Sequence, residues 1–183
     1  MNFSLRPRIV IIMWIIMWIA AASLITAVSC ARNPDRATAQ PTKPILKNIT
    51  PADVVRLRWI EGSWRGTGDI DKPFYERYKL ENETTLLVES FDDDKFSKAS
   101  DVSRFELKNG EFGSEGANGS RSAASAIDAN SVTFEPVAKS RNSFRFERVS
   151  DNAWKAILTW PATDTTPAGQ RTYNMERWPP AEK

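Results

Sequence analysis

The 183-residue chain contains no histidine and only one cysteine. Without imidazole there is no Ser-His-Asp or Cys-His triad and no histidine-based metal site. A single thiol also rules out an internal disulfide. Phosphate loops and dinucleotide fingerprints are missing as well, because the glycines lack the strand-to-helix setting those motifs need. The run "FDDDKF" gathers Asp92, Asp93 and Asp94 but lacks the spacing and glycine of a calcium loop, so it reads as a solvated turn. No metal ligand set and no cofactor are expected.

A dominant charge is lacking too. The chain has 25 basic and 23 acidic residues, and Arg6 and Arg8 lie in an N-terminal stretch without acids. From Cys30 onward the balance is 23 against 23. A neutral domain has no electrostatic footprint for nucleic acid.

What is present begins with two cations, an apolar run over residues 9–28 and a small-residue site. That order is the one found in a secretory signal, here residues 1–29. The stretch "ITAVSC" resembles a bacterial lipobox, which implies lipid on Cys30 and cleavage just before it. Ala27 stands where such a motif usually has leucine. Ordinary signal-peptidase cleavage after Ser29 is an alternative, as is an uncleaved anchor helix, since the run is long enough to span a bilayer. In each case the expected location is the bacterial cell envelope, outside the cytoplasmic membrane, or the secreted fraction. Residues 30–48 are polar and proline-bearing, which fits a disordered tether.

Residues 49–180 have the length of one domain. Thr50, Pro51 and Asp53 form a helix-start signal, with Val54 and Leu57 on an apolar face and Gly62 at its end. Short alternating segments follow, separated by turn dipeptides such as Asn109-Gly110 and Asp151-Asn152. The fold class is therefore all-β. An antiparallel meander of eight to ten strands removes its edges by closing into an up-and-down barrel, with an open sandwich as the alternative.

Alternation also assigns faces. Trp154, Ala156, Leu158 and Trp160 share one face, as do Val132, Phe134 and Pro136, opposite a wet face of Ser131, Thr133 and Glu135. Trp64, Gly66 and Gly68 share another, where small residues leave room inside the first strand. Some inward faces carry charge: Glu76 beside Tyr78, Arg148 beyond Phe146, and Arg171 and Arg177 flanking Tyr173. Buried charges require a partner, water or a ligand. One reading pairs Glu76 with an arginine at a barrel end. Another makes Glu76, Tyr78, Arg148, Trp154, Trp160, Arg171 and Tyr173 candidate ligand-binding residues.

A short helix, Gly62-Ser63-Trp64 entering the first strand and Arg177 late in the last resemble the calycin group, which includes lipocalins and fatty-acid-binding proteins. The domain, with its "ERY" at residues 76–78, is similar to a bacterial lipocalin-like lipoprotein family of unknown function. The resemblance implies that Trp64 plugs the closed end with Arg177 packed across it. It also implies a barrel that binds a small, largely apolar or amphipathic molecule and is held to the membrane by its lipid. The Trp64, Gly66, Gly68 pattern resembles nitrobindin-like haem barrels, whose iron sits on histidine, so that chemistry is excluded here. Arg171-Thr172-Tyr173 matches the spacing of the carboxylate-holding pair of fatty-acid-binding proteins. The competing functions are a structural or protein-interaction module of the envelope, and a hydrolase or isomerase with Glu76 as base and Tyr78 as acid. The sequence carries no sign of oligomeric state.

Overall fold

Thr50 starts the fold with a capping box. Its backbone N–H donates to the Asp53 carboxylate at 2.9 Å, and its hydroxyl accepts from the Asp53 N–H. Pro51 needs no N–H partner in the first turn, so helix α1, Pro51–Val55, begins there and tightens into a 3-10 turn, Arg56–Ile60. The computed structural model describes residues 43–68 and 72–179. The signal segment, Cys30 and most of the expected tether lie outside the described residues.

Among the described residues, ten strands follow: β1 Gly62–Thr67, β2 Phe74–Asn82, β3 Thr85–Phe91, β4 Ala99–Lys108, β5 Glu111–Glu115, β6 Arg121–Ile127, β7 Ser131–Ala138, β8 Ser143–Ser150, β9 Ala153–Trp160 and β10 Gly169–Arg177. Each pairs antiparallel with its sequence neighbours, and β1 pairs with β10, giving a closed up-and-down barrel. Closure leaves no unpaired edge. Tight turns make this topology possible. Asn109 and Gly110 both adopt positive φ (53° and 78°) between β4 and β5, the geometry of a two-residue hairpin turn.

The capped helix covers the end of the barrel where β1 starts and β10 finishes. Val54, Leu57 and Ile60 are 0–1% exposed there, packed in one core with Trp64, Phe112, Phe134, Phe146, Trp154 and Met175. This half of the interior is solid with side chains.

Three local expectations are corrected. The helix ends through its 3-10 turn, whereas Gly62 opens β1 at φ 120°. A Cβ at Gly62 would collide with the Arg177 guanidinium, so close approach makes glycine necessary. The room expected beside Gly66 and Gly68 is occupied, since a Cβ at Gly66 would meet the Phe74 ring and one at Gly68 the Tyr173 ring. Ser131, Thr133 and Glu135 are buried rather than wet. Ser131 donates to Asp128 at 2.8 Å and Thr133 accepts from Arg145 at 3.2 Å, so those hydroxyls keep partners.

Candidate functional site

The two ends of the barrel differ in chemistry. At the closed end, Trp64 and Arg177 are register partners on β1 and β10. The guanidinium carbon lies 4.2 Å from the indole centroid. Its nitrogens donate to the carbonyls of Glu61 (3.2 Å) and Asp151 (3.1 and 3.3 Å), while the Trp64 indole N–H donates to the Ile60 carbonyl at 2.7 Å. One side chain thus ties the helix end, the β8–β9 turn and the first strand together.

At the opposite end the interior opens into a cavity of about 220 Å³. Its apolar wall comes from Phe105, Phe144, Phe146, Ala156, Leu158 and Tyr173. Its polar wall comes from Ser103, Ser114 and Ser122, with Glu115, Asn118 and Asn142 at the mouth. The β5–β6 turn that brings Asn118 to the rim is pinned by Lys139, whose ammonium donates to the Asn118 carbonyl at 3.0 Å. An apolar pocket with a few convergent polar groups is the usual form of a small-molecule site.

Glu76 lies between these ends, 1% exposed, as the Cα partner of Trp64 on one side and Ser90 on the other. Its carboxyl accepts from the Tyr78 hydroxyl at 2.7 Å and the Ser90 hydroxyl at 3.5 Å. Among the described residues no cation pairs with it, so the expected Glu76–arginine pair is corrected to a Glu76–Tyr78–Ser90 group. Burial outweighs those two hydrogen bonds and lifts the carboxyl from 4.5 to about 8, with Asp101 adding a smaller upward push. Burial also raises the Tyr78 phenol, followed by the nearby Glu76 charge.

The remaining candidates scatter. Arg148 pairs with Asp151 at the closed end. Trp154 is 1% exposed and meets Trp59, Trp64, Tyr78 and Phe146 edge to face. Trp160 donates to the Pro167 carbonyl at 3.1 Å beside Gly169, off the cavity wall. Arg171 reaches the Tyr173 hydroxyl at 3.4 Å, and of that pair only Tyr173 lines the cavity. Thus Tyr173 alone among the seven ligand candidates touches the cavity. A general base must reach the proton it takes, and neither Glu76 nor Tyr78 lines this space. Among the described residues no group of three or more Cys, Asp or Glu is arranged to hold a metal ion.

Sequence reasoning passed over Ser114, Ser122 and Asn118. The signal that would have found the two serines is inward parity on β5 and β6, whereas Asn118 sits in the turn between those strands. That parity is masked by a bulge between Arg121 and Ser122 and by the glycine-rich composition of that hairpin.

No family model and no curated protein matches the chain. Among solved structures it is similar to a protein of unknown function from the DUF3598 family of Nostoc punctiforme, at 10% identity and a TM-score of 0.42, covering 74% of this chain. The chain spans 50% of the length of that protein. It is also similar to EF1p2_mFAP2b, solved bound to DFHBI, at 8% identity and a TM-score of 0.35, covering 70% of this chain and 99% of the other.

Proposed function

We propose that the protein binds or carries a small, largely apolar molecule in the cavity at the open end of its barrel. The observation that carries this reading is one cavity of about 220 Å³ with an aromatic wall and a hydroxyl-bearing wall, above an interior sealed by Trp64, Arg177 and helix α1. Serines facing an aromatic surface, Ser122 buried and Ser103 and Ser114 half-buried, serve no packing purpose that alanine would not serve as well, whereas they orient a ligand's polar edge. The sequence of residues 1–29 and the lipobox-like approach to Cys30 support export and a lipid anchor, with the expected tether of residues 30–48 shortened at its end, because Leu46 packs on the core and its N–H donates to the Ala124 carbonyl at 2.9 Å.

Native mass spectrometry of protein extracted from its own membranes tests both parts together. The expected spectrum shows a chain starting at Cys30 with acyl mass added, plus an adduct lost on gentle activation. A chain without acyl mass contradicts the anchor. Absence of any adduct, followed by no uptake of small aromatic probes, contradicts the carrier reading.

A specific observation supports an interaction module as the second reading. On the outer side of β2 a chain of ring contacts runs Phe91–Phe96–Tyr75–Trp178, Phe91 buried and the other three half-buried, with Arg65 and Arg77 stacked on it. Arginine and aromatic residues are enriched where proteins dock. Crosslinking in intact cells decides it, since a reproducible partner captured through this face and an empty cavity favour the module.

A further inference from the structure

The upper interior of the barrel has two unlike walls. Ser103, Ser114 and Ser122 supply one, and Phe144, Phe146 and Tyr173 face them across the cavity. No lysine or arginine is among the residues lining it, and the acidic residue among them is Glu115, exposed at the rim. Asp101 occupies the next inward position of β4 toward the mouth from Ser103, half-buried and register partner of Ser90. Glu76 lies behind Ser90. Among the described residues two cations stand near the cavity: Lys139, whose ammonium is held by the Asn118 carbonyl outside the rim, and Arg171 on β10, held against the Tyr173 hydroxyl.

Resting on the small-molecule reading, we infer that the cavity takes a compact ring-bearing molecule whose head donates hydrogen bonds and carries no negative charge. Size sets the body. An apolar cavity of about 150 Å³ holds one benzene, so about 220 Å³ holds a bicyclic ring system and leaves no room for a long acyl chain. The Phe144 and Phe146 rings, 5.5 Å apart, give such a body offset and edge-on contacts. Charge sets the head. A carboxylate entering this space gives up its water for a few hydroxyl donors with no lysine or arginine on the lining, an uncompensated burial. A hydroxyl or ammonium head meets the serine hydroxyls as acceptors, with the Asp101 carboxylate one inward position farther along β4.

Three probes of one shape test this: naphthalenemethanol, naphthylmethylamine and naphthoate. Each is titrated calorimetrically into the full chain held in zwitterionic nanodiscs, with empty nanodiscs as the blank. The expected result is saturable binding of the alcohol and the amine, with naphthoate weaker by at least about tenfold. Asp101→Asn is expected to weaken the amine relative to the alcohol by about threefold or more. Glu115→Gln, at an exposed position, serves as the second variant should the first not fold. Naphthoate binding as tightly as the alcohol overturns the inference but leaves the carrier reading standing, and its loss in Arg171→Gln would move the head group to β10. An unchanged amine-to-alcohol ratio in both variants overturns the attraction assigned to Asp101 and Glu115. Failure of all three probes to saturate overturns the carrier reading itself.

Discussion

The Tyr78 hydroxyl donates to Oε2 of Glu76 at 2.7 Å, inside the barrel and with no cation paired to the acid among the described residues. Two residues apart on β2, both side chains point inward, so the strand's own alternation sets the contact. With its carboxyl lifted to about 8 by burial, Glu76 is mainly a neutral acid at pH 7.

That protonation makes the fold less stable as pH rises. In the unfolded chain Glu76 loses its proton near 4.5, whereas the folded chain keeps it up to about 8. Between those values the native state binds more protons, so stability falls across the window and levels off above it. The expected loss is on the order of a few kcal/mol. Glu76→Gln keeps an acceptor for Tyr78 without a titrating group. Urea unfolding at pH 5 and pH 8.5 should show the variant nearly level with the parent at the lower pH and more stable at the higher. Parallel pH profiles for the two proteins would rule out Glu76 as the source.

Closure depends on the guanidinium of Arg177. It stacks on Trp64 at 4.2 Å and donates to carbonyls of Glu61 and Asp151. Arg177→Ala removes the cation–π contact and leaves those carbonyls to water, for an expected cost of about 2–3 kcal/mol. Arg177→Lys retains the charge but not the planar fork that reaches both carbonyls, so it should recover less than half of the loss. Denaturant midpoints of the three proteins check the order. Equal stability of the lysine variant and the parent would show that charge alone suffices.

Gly66 and Phe74 are expected to be energetically coupled. They are register partners, and the tip of the Phe74 ring occupies the place a Cβ would take at Gly66. Gly66→Ala overpacks that spot at an expected cost of about 1–3 kcal/mol. In a Phe74→Leu background the ring tip is gone, so the same change should cost clearly less. A double-mutant cycle in urea measures the difference. Additive effects would mean that the ring moves aside freely.

How far the sequence could be read depended on whether a feature was local. Period-two alternation and turn pairs such as Asn109-Gly110 are short-range signals, and they point to a meander that closes on itself. Likewise Thr50 and Asp53, three residues apart, announce the helix start. The cavity was not legible in the same way. The space beside Gly66 and Gly68 looked open because its fillers, Phe74 and Tyr173, arrive from other strands. Bulges at Ser90/Phe91, Arg121/Ser122 and Ala124/Ala126 shift parity along β3 and β6, so the serine wall could not be assembled by counting. Glu76 was legible as an inward acid, but whether its partner was an arginine or Tyr78 depended on side-chain reach in three dimensions.

Filling the cavity separates binding from folding. Ala156 is 6% exposed, lines the cavity and sits between Phe146 and Tyr173 as their register partner. A larger side chain there points into existing space, so Ala156→Leu adds three carbons without displacing a packed neighbour. Extra apolar burial and slight crowding offset each other, and stability should change by less than about 1 kcal/mol. The added atoms take a substantial part of about 220 Å³, so uptake of naphthalenemethanol should fall by at least about tenfold. Calorimetry and urea unfolding on the same preparation read the two effects separately. Undiminished binding in a folded Ala156→Leu protein would place the ligand somewhere other than this cavity.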